Sequence, residues 1–314
     1  MLGSTVTTVQ EELLMTLGFP TLFLFALLAL PQSSEPQQAP VKVDVDLVLV
    51  SAAVTDHDGS PVTGLEKSHF QVWEDKVEQD IRYFSAEEIP VSLGVVFDIS
   101  SSMGDKLSVA RDAVTRFLNT GASRDEYALI EFNNRPHVTQ DFTSDITEFQ
   151  NRIALVSSSG STALYDAVYL GIEKLRRAHN RRKALLLVTD GEDNHSHYTL
   201  ADLKELAKES DVQLFAIGIA GFPITTATKG RKSGRAILQE LVDLTGGEVF
   251  FTTDVQKLDD ICSKISESLR SEYVIGYAST NTAKDGKWRR LHLKVNAISP
   301  VSIHVRSGYY APVQ

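Results

Sequence analysis

The spacing of apolar residues divides this chain into stretches of different kind. Leu13–Leu30 is an apolar run broken only by Thr16, Gly18, Pro20 and Thr21, and a polar, Pro-containing spacer from Pro31 to Pro36 follows it. Over 41–49 the chain alternates: Val41, Val43, Val45, Leu47 and Leu49 are apolar, with Lys42, Asp44 and Asp46 between them. Period two predicts a half-buried strand. Asp56–Ser60 is a turn cluster, and Phe70 with Val72, then Ile81 with Tyr83, predict two more short strands joined by a polar connection over Glu74–Asp80.

From Ile89-Pro90 the pattern changes. Val91–Phe97 is a nearly continuous apolar run ending at Asp98, as expected of a strand buried on both faces. Met103, Leu107, Ala110, Val114, Phe117 and Leu118 follow helical spacing, and Gly121 fits a C-terminal cap. Tyr127–Phe132 predicts a strand, Leu164–Leu175 a helix, and Ala184–Val188 a second buried strand running up to Asp190. Thr199 with Asp202 makes a capping box ahead of a helix containing Leu203, Leu206 and Ala207. Val212–Ile219 reads as a strand, Ile237–Val242 as a helix closed by Gly246-Gly247, Val249–Phe251 as a strand, and Val255–Leu269 as a last helical stripe. Beyond it only strand patterns return, around Tyr273–Tyr277, Leu291–Val295 and Val301–Val305.

Strands alternating with helices over 91–270 predict an α/β domain with a doubly wound, mostly parallel sheet and helices on both faces. The β-rich pieces 41–90 and 271–314 are each too short to bury a comfortable core, and together they approach the roughly 100 residues of a β-sandwich. The economical arrangement is one small β-sandwich formed by both chain ends with the α/β domain inserted; two separate β appendages are the alternative. Residues 1–40 then form a signal peptide or N-terminal anchor plus linker.

Composition narrows the function classes. Lys and Arg total 31 and Asp and Glu 41, a net charge of -10, which disfavours a general nucleic-acid binder and is compatible with cations. Cys262 is the single cysteine, so an intrachain disulfide or a four-cysteine zinc site is excluded. The run Leu13–Leu30 resembles a signal-peptide core or short anchor, although no Lys or Arg precedes it and Glu11 and Glu12 do. A buried helix of the fold is the other reading; the polar spacer favours export, to the periplasm, the extracellular space or an envelope anchor, with cleavage undecided.

The candidate chemistry sits at strand ends, where open α/β sheets bind ligands. Asp98, Ser100 and Ser102 follow the strand Val91–Phe97 at alternate positions. Gly160-Ser161-Thr162 opens the helix near Ala163, and Thr189-Asp190-Gly191 ends the strand Ala184–Val188. Asp98, Ser100, Ser102, Thr162 and Asp190 thus offer hard oxygen donors from three loops, suited to Mg²⁺, Mn²⁺ or Ca²⁺. Taken singly, each has a plain structural reading: Ser and Thr cap helices, and Asp98 ends a strand.

Taken together, in this order, the five resemble the metal-ion-dependent adhesion site of the von Willebrand factor type A (VWA) fold, with its D-x-S-x-S, Thr and T-D-G pattern. The resemblance covers about 91–270. The flanks Val43–Thr55, Gly64-Leu65 with Phe70 and Glu74-Asp75, and the ending Gly308–Pro312 are similar to bacterial, acidobacterial-type exported proteins carrying this domain. The resemblance implies that Ser100, Ser102 and Thr162 hold one ion directly and that Asp98 and Asp190 act mostly through water. It implies a protein-binding or adhesion module, in which an unidentified protein partner supplies an Asp or Glu to the ion. It also implies that a shift of the last helix changes the site.

Other classes have weaker support. A scaffold or assembly subunit with a structural metal is one. A metal-dependent phosphatase or hydrolase is another: haloacid-dehalogenase-like phosphatases carry a second Asp two residues after the nucleophile, and here that position is Ser100. No G-x-S-x-G elbow, H-E-x-x-H or phosphate-cradling loop is present, so no catalytic residue is assigned. Glu192, Asp193, His195 and His197 rim the site or form a solvated loop, the latter being favoured; the same holds for Lys229, Arg231, Lys232 and Arg235 in the stretch 221–235. Cys262 reads as a small buried hydrophobe.

Overall fold

The structure is a computed structural model that describes residues 47–86, 89–219, 233–297 and 299–313. The apolar run Leu13–Leu30, the alternation over 41–46, and Lys229, Arg231 and Lys232 lie outside the described residues. Among the described residues no helix is long and apolar enough to cross a membrane.

The first strand, β1 (Val48–Thr55), begins where the alternation ends, and its second half is buried on both faces. The polar connection expected over 74–80 is a hairpin instead. Strand β2 (Phe70–Glu74) turns through Asp75 and Lys76, both at positive φ, into the short β3 (Val77–Gln79), and β4 (Ile81–Ser85) follows. Asp75 hides that turn from pattern reading because it lacks the usual glycine. Its carboxylate accepts from the Arg290 amide at 2.9 Å, which fastens the turn to the far end of the chain.

Next come β5 (Val91–Asp98), a 3₁₀ turn (Ser101–Lys106), α1 (Leu107–Asn119) and β6 (Glu126–Phe132). Gly121 does not cap α1. It has no positive φ, and a Cβ there would lie 1.8 Å from the Tyr127 hydroxyl, so the glycine serves close packing. An edge strand β7 (Pro136–Thr143) and helix α2 (Ile146–Ala154) follow, neither visible in the apolar pattern: β7 is mostly half-exposed, and only Phe149 and Ile153 of α2 are buried. Then α3 (Leu164–Leu175), β8 (Arg182–Thr189), α4 (Leu200–Glu209), β9 (Val212–Ile219), α5 (Gly234–Thr245), β10 (Val249–Thr252) and α6 (Leu258–Arg270) alternate as the pattern predicts. The Thr199–Asp202 capping box forms, and Gly246 closes α5 at φ 79°.

These elements build a sheet of order β10-β9-β8-β5-β6-β7, parallel except for β7. Alternate residues of each strand serve opposite faces. Val95, Phe97, Leu129 and Leu186 pack with α1, α2 and α6; Val96, Ile130, Leu185 and Leu187 pack with α3, α4 and α5. Strand β5 sits between β6 and β8, so its carboxyl end opens into the middle of the layered domain.

The tail supplies β11 (Tyr273–Tyr277), β12 (Trp288–Val295), β13 (Ser302–Val305) and a short β14 (Gly308–Tyr310). Two antiparallel sheets result, β13-β1-β11-β4 and β14-β12-β2-β3, each drawing strands from both chain ends. Val50, Val54, Phe70, Val72, Ile81, Tyr273, Ile275 and Leu293 form the core between them. The fold is therefore a doubly wound α/β domain set into a small β-sandwich made by both ends.

One buried carboxylate clasps the two crossings between these layers. Asp125 accepts the Val91 amide at 3.0 Å where the chain enters the α/β layers, and Arg270 at 2.8 Å where it leaves them. It also accepts the Ala122 amide at 2.8 Å. Removing it takes the ion-pair partner from the Arg270 guanidinium, which keeps only the neutral acceptors Thr120 O and Ser266 Oγ, and takes the acceptor from two amides. Asp125→Ala should cost about 3 kcal/mol or more of unfolding free energy, read from urea titration. A loss below about 1 kcal/mol would contradict the clasp.

Candidate metal centre

The carboxyl end of β5 delivers Asp98, fully buried, and the next residues turn sharply enough for the chain to bond to it. Asp98 Oδ1 accepts the Ser100 amide at 2.9 Å, and Oδ2 accepts the Thr189 hydroxyl at 2.6 Å. Thr189 is the last residue of β8, so this bond joins two adjacent strand ends; its hydroxyl in turn accepts the Gly191 amide at 3.0 Å. Burial is the main force on the Asp98 carboxyl and pushes it up to about 6; hydrogen bonds from Ser100 and Thr189 oppose this, and the nearby charge of Asp190 adds to it.

Ser100 is buried and Ser102 exposed, and their hydroxyl oxygens lie 3.0 Å apart. Alternate spacing after a strand has placed both on one side of the turn. Thr162 is buried on the adjoining loop. That loop is held against the Ser100 turn by backbone bonds, Ser101 N to Gly160 O at 3.0 Å and Ser159 N to Ile99 O at 2.7 Å. Gly160 allows it: its φ is +83°, and a Cβ would meet Asn134 Oδ1 at 2.8 Å.

Asp190, buried, follows β8. Its Oδ2 accepts the Lys106 ammonium at 3.0 Å, and its Oδ1 is buried with no hydrogen-bond partner. The structure thus gathers Asp98, Ser100 and Ser102 on one turn, sets Asp190 close enough to raise the Asp98 carboxyl, and packs the Thr162 loop alongside. Thr189 stands in the T-D-G pattern, but its bond to Asp98 and the part played by Lys106 show only in the fold. Lys106 looks like an ordinary solvated residue of the first helical turn, and only the ion pair across a sequence distance of 84 reveals it.

The stretch 192–198 is largely exposed, as the solvated-loop reading expects, and it also bonds to the neighbouring loop and helix. Asp193 accepts the Leu164 amide at 2.9 Å and Ser196 the Tyr165 amide at 3.0 Å, capping α3 from another loop. Asn194 accepts the Thr162 amide at 2.9 Å, and Thr162 O accepts the Asn194 and His195 amides. Burial raises the Asp166 carboxyl, but the Tyr198 amide at 3.0 Å, with the His197 ring Nδ1 at 2.9 Å and the His197 amide at 2.8 Å, holds it below its ordinary range. These bonds fix Thr162 relative to Asp190. Elsewhere, Asp56, His57 and Asp58 cluster on an exposed turn, where Asp56 Oδ1 accepts the Asp58 and Ser60 amides and so closes the turn. Arg235 stacks on the Phe251 ring with its guanidinium carbon 4.1 Å from the centroid, and Cys262 is buried, its thiol pushed up to about 12 by burial.

An Asp98 carboxyl at about 6 keeps its proton in the folded chain to higher pH than a free one at 3.8. The fold therefore bears the cost of ionising it fully above about pH 6 and sheds that cost as pH falls towards 4, an effect of at most about 3 kcal/mol. In EDTA, Asp98→Asn should be more stable than the parent at pH 7.5, and the difference should shrink by pH 5. Thermal unfolding of both at the two pH values checks this; a gap that stays constant would contradict it.

The family model for the von Willebrand factor type A domain matches residues 93–264. Inter-alpha-trypsin inhibitor heavy chain H4 of Sus scrofa is 28% identical over 165 residues, 47% of this chain and 18% of that protein. The chain thus spans only about a fifth of the length of the curated relatives it matches. Among solved structures, BatB from Bacteroides thetaiotaomicron is 20% identical with a TM-score of 0.46, over 57% of this chain and 98% of that one. A von Willebrand factor type A protein from Catenulispora acidiphila is 13% identical with a TM-score of 0.49, over 86% of this chain and 74% of that one. The family match spans more than half of the chain and coincides with the sheet and helices that carry Asp98 and Asp190, so the chain belongs to the von Willebrand factor type A domain family.

Proposed function

We propose that the chain is a metal-ion-dependent protein-binding or adhesion module. Asp98, Ser100, Ser102, Thr162 and Asp190 hold one divalent cation, Mg²⁺ or else Mn²⁺ or Ca²⁺, and a partner protein contributes an Asp or Glu side chain. VWA domains are in general interaction or adhesion modules, which is the wider frame of this reading. The observation that carries it is Asp190 Oδ1, a buried carboxylate oxygen without a hydrogen-bond partner. Such an atom is costly unless a cation or donor reaches it.

The donor set fits a hard cation: hydroxyls at Ser100 and Ser102, 3.0 Å apart, and carboxylates at Asp98 and Asp190. A bound divalent ion supplies a Lewis-acidic position that an outside carboxylate can complete. The chain's own residues keep that position open. Asp98 is occupied by Ser100 and Thr189, which orients it and limits how much charge it gives an ion. Neutral hydroxyls do the direct holding, so the ion retains affinity for an external anion. The apolar run Leu13–Leu30 supports an exported protein, through a signal peptide or an anchor. The reading is of a binder and not an enzyme, with no catalytic residue and no nucleic-acid surface assigned.

Calorimetry with Mg²⁺ or Mn²⁺ should show one ion per chain, abolished in Asp98→Ala and weakened about tenfold or more in Thr162→Ala. Partner capture from envelope or extracellular fractions should need Mg²⁺, fail in EDTA and fail with Asp98→Ala. If Thr162→Ala folds and captures the same partner as well as the parent does, the metal serves the scaffold only. Absence of ion binding at millimolar concentration would overturn the proposal.

A further inference from the structure

Lys106 ends the 3₁₀ turn that begins next to Ser100, and it reaches across to the end of β8. Its ammonium lies 3.0 Å from Asp190 Oδ2; the Asp190 side chain is 5% exposed and that of Lys106 is 28% exposed. A pair of this kind differs from the exposed ion pairs elsewhere on the surface, because one partner has almost no water to fall back on. The same turn carries Ser102, so the ammonium and the hydroxyl donors ride on one piece of backbone.

We propose that Lys106 is a built-in competitor at this site, an internal cation that neutralises Asp190 and must give up Oδ2 before a divalent ion takes full use of that carboxylate. The inference rests on the metal reading above. Two cations cannot share one carboxylate at close range without repulsion, and burial strengthens the repulsion. The ammonium thereby does two things. It keeps the ion-free protein folded by pairing a buried charge, and it raises the divalent-ion concentration at which the site fills. A module built this way engages its partner only where divalent ions are plentiful, and its ion-free state needs no rearranged core.

Lys106→Met keeps the aliphatic stem and removes the charge. Its Mg²⁺ affinity by calorimetry should rise about tenfold or more over the parent. Without Mg²⁺ it should melt several degrees lower than the parent, and Mg²⁺ should restore it. The parent supplies a second readout should the variant fold poorly. Acetylation of Lys106 by an amine reagent, followed by mass spectrometry, should quicken several-fold when Mg²⁺ is added, because the ammonium is released from Asp190. Parent binding with unchanged variant affinity, or Mg²⁺ binding without faster Lys106 acetylation, overturns the role of Lys106 and leaves the metal site standing. Mg²⁺ binding by the variant alone supports the competition and overturns the metal reading for the parent. Silence of both proteins towards Mg²⁺ overturns both.

Discussion

The whole carboxyl edge of the α/β layers depends on one fully buried acid. Asp98 ends the central strand β5, and its two oxygens take the Ser100 amide and the Thr189 hydroxyl. The first bond sets the turn on which Ser100 and Ser102 sit. The second ties that turn to the end of β8, and so to Asp190. A residue that merely stopped a strand would be solvated. This one is dry and is kept in place by donors that also define its neighbours, and those bonds offset only part of its burial cost.

The opposite edge of the same sheet is where the β-sandwich attaches. Arg182 at the start of β8 faces Glu272 ahead of β11 across 3.1 Å, both almost fully buried, and burial pushes the Glu272 carboxyl above its ordinary range. Asp211 pairs with Arg306 and Glu205 accepts the Tyr310 hydroxyl, again at amino ends of strands and carboxyl ends of helices. Among the described residues, these contacts place the sandwich at the edge opposite Asp98 and Asp190. Helix α6 is held at its C-terminal end too: Arg182 donates to Leu269 O, and Arg270 binds Asp125. The resemblance to VWA domains implied that this helix moves; in this chain any such shift would have to break bonds that also anchor the sandwich.

Much of this was legible from residue order. Val91–Phe97, Ala184–Val188 and Val212–Ile219 are runs that only a two-sided layer can bury, and β5, β8 and β9 appear where those runs lie. The capping box at Thr199 and the αL glycine at Gly246 are local chemistry and need no tertiary context. The failures were positions where context decides. Strand β7 is half-exposed at a sheet edge and carries no clean alternation. The turn at Asp75 and Lys76 adopts positive φ without glycine because its carboxylate is bonded to the Arg290 amide far along the chain. Gly121 was a cap by spacing but is a packing glycine by contact with Tyr127. At the site, the oxygen donors and Thr189 stand in a readable motif, whereas the bonds that Lys106 and Asn194 make come from folding alone.

That division bears on what an overall charge of -10 means. A field from dispersed surface carboxylates is screened within about 8–10 Å at physiological salt and does not build a cation site. The local balance differs from the overall one: the Asp98 and Asp190 side chains are removed from water, and the Lys106 ammonium pairs with Asp190. The acidic surface instead opposes the approach of any acidic molecule, an opposition that only short-range contacts offset. The sandwich's own carboxylates, such as the half-buried Asp56 and the exposed Asp58, belong to a layer joined to the sheet at the amino ends of its strands. The buried acids Asp98 and Asp190, the Ser100 and Ser102 hydroxyls and Lys106 converge at the opposite, carboxyl edge.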